Sequence, residues 1–448
     1  MLKTITSSFF TTTNVDSFRD SLRFLCNPYN RNKFNTWKWN DIVEKNLNKY
    51  LWSTGKIISF YNARSALYHW LKAFEIWKGN EVILQAYTCV SVPNSIIQTW
   101  AKPIYVDIAE NSLNIDINKI ESKINKNTKA IIIQHTFWSP AKINQIKNIC
   151  KKHNLFLIED CAHSLWAEFE WKKVWTFWDF AIFSFGRDKV ISTVNWWFLL
   201  VNNSKYFNKI EKIKLAPINS GSDLKNVPIK LILKNLFYLI VSYLSYKLYD
   251  FSSIWKALIL FCKKTNLIPE ILSCNEKKCQ DTTFFYKYPN ALAYIAIKEI
   301  EKIDLYNIKR VEIAEKYNQF IGKWKMDLSS NEGNGKWRSK SLNNTNIFPS
   351  FNVSIFPLTN SINLRYVLLT TKVKELTKKC KQAKILLWDR YRQVIAPEHT
   401  NFENAYYQVW SCPVAEKFAS QTVNLPCHPN LTDKDVNKVQ EILKTLNH

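Results

Sequence analysis

Glycine is scarce in this sequence: 7 of the 448 residues are glycine, whereas 18 are tryptophan. Glycine usually makes up about 7% of a protein, a share that the two residue types approach only when they are counted together. Tryptophans also stand where tight turns are expected, as in the pair Trp196 and Trp197 between Asn195 and an apolar run. Such turns favour Gly, Asn or Asp because one or two residues take a positive φ. The glycine deficit and the tryptophan excess therefore indicate a single anomaly.

Two further absences narrow the class of protein. The ten cysteines contain no C-x-x-C pair, and the nearest two, Cys274 and Cys279, lie among lysines without histidine. This pattern disfavours a zinc site and predicts free thiols in a reducing compartment. The first 25 residues are polar and have no apolar core, so no secretory signal is expected. The sequence thus predicts a cytoplasmic protein without a bound metal.

Acidic residues are few as well: 37 Asp and Glu face 62 Lys and Arg, which gives a net charge of +25 at pH 7. A charge of this sign suits nucleic acid, a membrane surface or a phosphorylated substrate. The lysines are dispersed, however, and no recognisable nucleic-acid module accompanies them. A genome rich in A and T, whose codons favour Lys, Asn and Ile, accounts for the bias without any partner. Nucleic-acid binding is therefore not expected.

Short apolar strands alternate with helices from Lys56 onward. The pattern predicts strands at 57–60, 81–84, 103–106, 130–133 and 155–158, with helices at 65–74, 92–99 and 143–152. This alternation is typical of right-handed βαβ units and a mostly parallel sheet flanked by helices. Ligands of such sheets bind beyond the carboxyl ends of the strands.

The α/β pattern divides the chain into three parts. Residues 1–54 are predicted to form an N-terminal arm, and residues 55–285 a large α/β domain. Residues 286–448 are predicted to form a linking helix and a smaller C-terminal α/β domain, which ends in a helix at 433–446 capped by Thr432.

Residues 227–265 differ from the rest of the large domain because they are apolar and aromatic. Their longest uncharged run, 235–246, has 12 residues, whereas a membrane span takes about 20. Two interpretations remain: a helical insertion that packs on a partner subunit, which we favour, or one that rests on a membrane surface.

Chemically reactive residues occur at three predicted strand ends. Arg64 and Ser65 stand at a helix start, where backbone N–H groups suit a phosphate. Asp160 directly follows a buried strand, a place for a carboxylate that holds a cation, a metal or a protonated heterocycle. Lys189 follows the apolar run 180–183, and a buried amine with a lowered pKa is a nucleophile that forms Schiff bases. Taken singly, a helix cap or a surface lysine explains each residue; the three together favour a site.

The stretch from Ile158 to Asn203, "IEDCAHSLWAEFEWKKVWTFWDFAIFSFGRDKVISTVNWWFLLVNN", resembles one enzyme family. It is similar to the DegT/DnrJ/StrS sugar-nucleotide aminotransferases, which depend on pyridoxal 5'-phosphate (PLP). Their corresponding run begins E-D-x-A-H, contains F-S-F, and continues with the Schiff-base lysine and a Gly-Gly pair. The resemblance covers 56–203 well and the C-terminal third more loosely. Residues 1–54 and 205–285 match poorly.

The resemblance implies both the fold and the activity. The fold would be the PLP-dependent transferase fold type I, in a homodimer with its active site at the subunit interface. The activity would be transfer of an amino group, with glutamate as donor, to a nucleotide-linked keto-sugar for the synthesis of cell-surface polysaccharide. A PLP aminotransferase acting on another small or lipid-linked keto compound at the membrane surface is one alternative. A non-catalytic regulator that keeps the fold is another.

The catalytic residues follow from the same resemblance. Lys189 would carry the cofactor as a Schiff base and shuttle the proton of the reaction. Asp160 would pair with the pyridine nitrogen and keep the ring protonated, and His163 would lie near the ring. Lys189 also disfavours the family's dehydratase branch, in which a histidine replaces this lysine.

The remaining cofactor contacts involve four residues. Ser184, Arg64 and Ser65 would hold the phosphate. Cys89 stands where the family often has an aromatic residue that covers the cofactor ring, so the resemblance leaves that stacking contact in doubt.

The tryptophans coincide with glycines of the family. Those that coincide most clearly are Trp138, Trp166, Trp171, Trp175, Trp178, Trp196 and Trp197, and a second set comprises Trp77, Trp100, Trp388 and Trp410. Random substitution would not choose one amino acid each time. We interpret these positions as UGA codons that the source organism reads as glycine and that are written here as tryptophan.

Overall fold

The computed structural model describes residues 4–7, 12–35, 38–110, 112–215, 224–248, 254–270, 272–280, 285–331, 353–355, 364–387 and 391–447. The N-terminal part contains a short strand and two helices: β1 (Ile5–Thr6), α1 (Val15–Cys26) and α2 (Trp39–Tyr50). Strand β1 does not stay with its neighbours in sequence, because it pairs with residues 385 and 386 of the C-terminal part. The N-terminal strand thus belongs to a two-stranded sheet with the C-terminal part.

The large domain alternates strands and helices as the sequence predicts. Its elements are β2 (Lys56–Phe60), α3 (Ala63–Ala73), β3 (Glu81–Gln85), β4 (Thr88–Cys89), α4 (Ser91–Ile97), β5 (Lys102–Val106), β6 (Thr128–Gln134), α5 (Ile143–Lys152), β7 (Phe156–Asp160), β8 (Glu168–Phe169), β9 (Lys172–Lys173), β10 (Phe180–Ser184), β11 (Trp197–Val201) and α6 (Phe207–Leu215).

Seven of these strands form the central sheet, in the order β2-β11-β10-β7-β6-β3-β5. Strands β10, β7, β6, β3 and β5 are mutually parallel, whereas β11 runs antiparallel to both β10 and β2. The strands are rich in β-branched residues, such as Ile131, Ile132 and Ile133, which are buried on both faces of the sheet. The predicted α/β class with a mostly parallel sheet is confirmed.

An apolar helical segment follows the large sheet. The elements here are β12 (Leu224–Lys225), α7 (Ile229–Lys247), α8 (Ile254–Lys264) and α9 (Cys274–Lys277). Helix α7 is long and apolar enough to cross a membrane by length and composition. It is longer than the uncharged run 235–246 because it extends beyond that run at both ends and takes in lysines there. Core helices of soluble proteins meet the same criterion, and the inner face of α7 packs on α1 and on the helix Asn290–Ile300 of this chain.

Helix α7 also contacts the loops around the central sheet. The buried Asn235 donates from Nδ2 to the Tyr61 hydroxyl at 2.6 Å, and its Oδ1 accepts from Asn195 Nδ2 at 3.1 Å. Tyr238 lies under Arg187, with 4.1 Å between the guanidinium carbon and the ring centroid. The helix is therefore hydrogen-bonded to the turn that precedes β11.

The C-terminal part contains a second, smaller sheet. Its elements are β13 (Phe285–Tyr286), α10 (Asn290–Ile300), α11 (Ile303–Asn331), β14 (Val353–Ile355), β15 (Tyr366–Thr370), α12 (Val373–Gln382), β16 (Ile385–Leu386), β17 (Ile395–Ala396), α13 (Pro413–Gln421), β18 (Thr422–Leu425) and α14 (Asp433–Lys444). Strands β14, β15 and β18 form an antiparallel sheet. Thr432 caps α14 as predicted, in a capping box with Asp435.

Left-handed backbone is unusually frequent at tryptophan. Seventeen described residues other than glycine have a positive φ. Six of them are tryptophans: Trp52, Trp100, Trp138, Trp166, Trp171 and Trp410. Gly79 is the one described glycine that shares this conformation. Because a Cβ makes this region costly, glycine is its usual occupant.

The pair Trp196 and Trp197 does not follow the expectation for a turn. The left-handed residue here is Val194, with φ of 77°. Trp197 already begins β11, and Trp196 is buried, its ring stacked on Tyr288 with centroids 5.3 Å apart. The expectation that one of the two tryptophans takes a positive φ is therefore wrong for this turn. Trp388 lies outside the described residues.

Candidate active site

A pocket opens at the carboxyl ends of three parallel strands. Gln134, Asp160 and Ser184 are the last residues of β6, β7 and β10, and all three line the pocket. The strand register sets Asp160 beside Gln134 on one side and Ile182 on the other. Polar side chains therefore meet at the edge of the sheet where ligands of parallel sheets bind.

Lys189 enters this pocket from the connection between β10 and β11. Its backbone N–H donates to Gly186 O at 3.1 Å, which folds the chain back towards the strand end. Burial lowers the pKa of the Lys189 ammonium below its usual range; nearby Arg365 adds to this effect, whereas Asp188 and Asp160 oppose it. A lysine whose charged form is disfavoured is available as a neutral amine.

Asp160 lies at the buried end of the pocket. Burial raises the pKa of its carboxyl group to about 6, although the Ala162 N–H, 3.0 Å from Oδ1, and the charge of Lys189 act in the opposite direction. A carboxylate in such surroundings is costly unless a cation lies against it. The site therefore favours a ligand that brings a positive charge to Asp160.

His163 forms an aromatic wall of the same pocket. Its ring stacks on Phe137, with centroids 5.2 Å apart and planes 5° from parallel. The Tyr391 hydroxyl lies 3.4 Å from His163 Nε2. These two contacts fix the orientation of the His163 ring, which lines the pocket.

The start of α3 also lines the pocket. Asn62 caps the helix and accepts hydrogen bonds from both the N–H and the hydroxyl of Ser65, each at 2.9 Å. Ser65 is therefore fully buried beneath the cap, and Asn62 and Arg64 line the pocket in its place. Arg64 forms a buried ion pair with Glu276 of α9.

The model of one protein family matches residues 26–226 and 273–444, and its description is DegT/DnrJ/EryC1/StrS aminotransferase family. The chain belongs to this aminotransferase family. A protein of Methanocaldococcus jannaschii that has no described function is 26% identical over 87% of this chain and 85% of its own length. GDP-perosamine synthase of Vibrio cholerae is 32% identical, over 36% of this chain and 44% of its own length.

Solved structures of aminotransferases share the fold. Helicobacter pylori PseC superposes with a TM-score of 0.67 at 19% identity, covering 98% of this chain and 99% of its own. The PLP form of the sugar aminotransferase Spr1654 of Streptococcus pneumoniae gives a TM-score of 0.68 at 16% identity and covers 98% of both chains. The protein is thus a PLP-dependent aminotransferase of fold type I.

The pocket residues suit PLP chemically. Lys189 would provide an amine for the aldehyde carbon, and Asp160 a carboxylate for the protonated ring nitrogen. Arg64, Ser184 and the start of α3 would provide donors for the phosphate. Cys89, at the end of β4, also lines the pocket, with its Sγ 3.5 Å from the Ser91 hydroxyl. The pocket thus brings together all the predicted site residues except Ser65.

Several pocket residues were not predicted from the sequence. Arg365 and Tyr391 come from the C-terminal part, and Arg365 forms an ion pair with Asp188 at 2.7 Å. No local motif marks either of them. Gln134 does carry a signal, because it directly follows the apolar run 130–133 at a strand end.

A second buried cluster lies beside Asp160 on β7. His135 Nδ1 accepts the Ala141 N–H at 3.0 Å, so Nε2 carries the ring proton and donates it to Glu159 at 3.1 Å. Burial lowers the pKa of His135 to about 3 and raises that of Glu159 well above its usual value. Together with the buried Cys161 these groups lie close enough for a metal, but both ring nitrogens of His135 are already used in hydrogen bonds.

The raised pKa of Asp160 predicts a pH-dependent stability in the cofactor-free protein. From pH 3.8 to about 6 the folded chain keeps the Asp160 proton and the unfolded chain loses it. Stability therefore falls as the pH rises through this window, and Asp160→Asn removes the change, which amounts to about 3 kcal/mol. Urea unfolding of both proteins at the two ends of the window measures it. A stability difference that does not vary with pH would contradict the assignment.

The ion pair between Arg64 and Glu276 predicts a second effect. A phosphate held by Arg64 would have to compete with the Glu276 carboxylate for the guanidinium. Glu276→Gln removes the competing charge and retains the capping box with Ser273. We expect PLP to bind about tenfold more tightly, equivalent to about 1.4 kcal/mol. Fluorescence titration measures this affinity, and Glu270→Gln, at an exposed site in the same segment, is the matched control. Equal or weaker binding by the Glu276→Gln variant would show that the two anions do not compete.

Proposed function

We propose that the protein transfers an amino group, with glutamate as donor, to the carbonyl carbon of a nucleotide-linked keto-sugar. The observation that carries this proposal is that Lys189, an amine whose pKa is lowered, lines one pocket with the buried Asp160 at the strand ends of an aminotransferase fold. A fold kept only for regulation has no need of such an amine beside a buried carboxylate. The product would serve the synthesis of a cell-surface polysaccharide.

Bound PLP supplies an electron-accepting ring that stabilises negative charge at the carbon bonded to the transferred nitrogen. The Asp160 carboxylate would hold the ring-nitrogen proton and thus maintain that capacity. Lys189 Nζ, an amine whose pKa is lowered, would take the proton from the α-carbon of the donor and deliver it to the cofactor carbon within the first half of the cycle. In the second half it would move a proton in the reverse direction, to the carbon that receives the amino group. Phe137 and Tyr391 fix the His163 ring and help to exclude water.

Names of relatives support the substrate class. Besides the GDP-perosamine synthases, the relatives include a UDP-N-acetyl-3-dehydro-alpha-D-glucosamine 3-aminotransferase of Acidithiobacillus ferrooxidans, which is 36% identical over 27% of this chain and 32% of its own length. Both kinds of name describe enzymes that put nitrogen on a sugar carried by a nucleotide. We extend the proposal to a cytoplasmic homodimer, in which the partner subunit completes the pocket.

The test uses the PLP-loaded enzyme and two nucleotide sugars. Incubation of glutamate with UDP-N-acetyl-3-dehydroglucosamine, or of GDP-perosamine with 2-oxoglutarate in reverse, is expected to give a nucleotide product changed by one amino group. Mass spectrometry detects this change, and size-exclusion chromatography reports the oligomeric state. Transfer of the amino group from glutamate to the cofactor, with no product from any nucleotide keto-sugar, would support the aminotransferase activity and overturn the proposed substrate class.

A second substrate class is supported by another set of relatives. An L-glutamine:2-deoxy-scyllo-inosose aminotransferase of Streptomyces kanamyceticus is 35% identical over 28% of this chain and 29% of its own length. Glutamine and 2-deoxy-scyllo-inosose therefore belong in the same assay. Turnover of this pair alone would favour a free cyclic ketone over a nucleotide sugar.

A further inference from the structure

Helix α8 presents large apolar side chains to its surroundings. Ile254, Leu260 and Phe261 are between 55 and 63% exposed, and Leu267, just beyond the helix, is 42% exposed. The spacing of 254, 260 and 261 places them on one side of the helix, because residues seven apart are two turns from each other. They form a continuous outward stripe rather than isolated exposed residues.

The inner side of α8 is apolar as well. Trp255 and Cys262 are buried there, and Leu258 and Ile259 pack into small clusters with side chains of α7. A helix at a water-exposed surface normally has a polar outer face, whereas the outer face of α8 combines these large apolar side chains with lysines. The outward stripe therefore predicts that another surface covers α8.

The charges beside the stripe indicate what kind of surface this is. Lys256, Lys263 and Lys264 are exposed on α8, and Lys234 of α7 donates to Asn266, just beyond the end of α8, at 2.6 Å. Neither helix contains an acidic residue. In a two-fold contact with a second copy, this face would meet itself and set lysines against lysines. An anionic surface complements both the apolar stripe and its rim of lysines.

Residues 227–272 also fall outside the part of the chain that the family model matches. The sequence of the α7–α8 segment therefore departs from the pattern that the family model describes, whereas solved aminotransferase structures superpose over 98% of this chain. The inner face of α7 is committed to this chain, where Ile232, Asn235 and Leu236 are fully buried. Helix α7 is thus held against the rest of the chain, and α8 packs against α7.

We propose that the α8 stripe docks the protein peripherally on an anionic lipid bilayer. Ile254, Leu260 and Phe261 would enter the boundary between headgroups and acyl chains, and the flanking lysines would contact anionic headgroups. This binding mode leaves α7 in its place against α1 and needs no membrane-spanning segment. The proposal is independent of the substrate of the enzyme.

Co-sedimentation of the full-length, PLP-loaded enzyme with vesicles tests the proposal. Vesicles of phosphatidylcholine and phosphatidylserine at about 7:3 are expected to pellet the protein, and vesicles of phosphatidylcholine alone to pellet far less. Raising the salt concentration weakens the binding because it screens the lysine contacts. The double change Leu260→Ser with Phe261→Ser is expected to lower the affinity at least about tenfold.

The matched control is Leu305→Ser with Ile308→Ser, which alters two equally exposed apolar residues on α11. This protein is expected to bind as the unchanged enzyme does, and circular dichroism checks that both variants are folded. Failure of the unchanged enzyme to pellet with anionic vesicles overturns the proposal. So does an equal loss of binding in both variants. A change of oligomeric state caused by the α8 variant alone would assign the stripe to contact between copies instead.

Discussion

Replacement of Lys189 by alanine is expected to lower kcat by at least about a thousandfold and to abolish covalent attachment of PLP. The reason is positional. Lys189 is the lysine that lines the pocket among the described residues, and burial favours its neutral amine. In the proposed mechanism Lys189 both bonds to the cofactor and transfers the proton, and no other lysine lines the pocket among the described residues.

Two measurements check this expectation. Borohydride reduction followed by peptide mass spectrometry is expected to place the cofactor on Lys189 in the unchanged enzyme and nowhere in the alanine variant. Lys151→Ala, at an exposed position on α5, is the control and should retain full activity. Removal of a buried amine is not expected to destabilise the chain, so urea unfolding separates loss of chemistry from loss of fold. Near-normal turnover by the Lys189→Ala protein would remove the catalytic assignment.

Glycine at four exposed tryptophans is expected to stabilise the protein by roughly 4 kcal/mol in total, about 1 kcal/mol at each position. The four are Trp52, Trp100, Trp171 and Trp410, which have positive φ and are between 76 and 94% exposed. Removing these indoles loses little buried area, whereas glycine relieves the left-handed backbone. A gain of this size is large beside the roughly 5–15 kcal/mol that stabilises a typical protein.

The control for the four positions is Trp77→Gly. Trp77 is also exposed, but it does not have a positive φ, so the substitution is expected to bring no stabilisation. Urea midpoints of the two proteins give the comparison. Equal effects of the fourfold and the control substitutions would show that backbone strain does not distinguish these tryptophans.

The same result bears on the interpretation of the tryptophans as glycine codons. Under that interpretation, the protein made in its own organism has glycine at most of these positions, including 196 and 197. Peptide mass spectrometry of the naturally produced protein measures this directly. Tryptophan at 196 and 197 in that protein would exclude the interpretation, and the buried ring of Trp196 would then be a genuine part of the core.

Much of the site could be predicted because its chemistry is local in sequence. Asp160 and Ser184 each end a buried apolar strand, and Lys189 follows within five residues of the second strand. The contributions of Arg365 and Glu276 could not be predicted, since they depend on how distant segments pack against the sheet. The position of Ser65 could not be predicted either, because it depends on the rotation of the first helical turn. In this turn the Ser65 hydroxyl donates a hydrogen bond to Asn62 Oδ1 and does not line the pocket.

The contact of Asn235 with Tyr61 and Asn195 joins α7 to the turn that follows Lys189. Because these three side chains are hydrogen-bonded to one another and Asn195 lines the pocket, the free energy of moving α7 depends on what holds Asn195. Any event that shifts α7 changes the hydrogen bonds of Asn195, and any ligand that fixes Asn195 restrains α7. Because such linkage is reciprocal, a ligand that fixes Asn195 and a contact that holds α7 favour each other by the same factor.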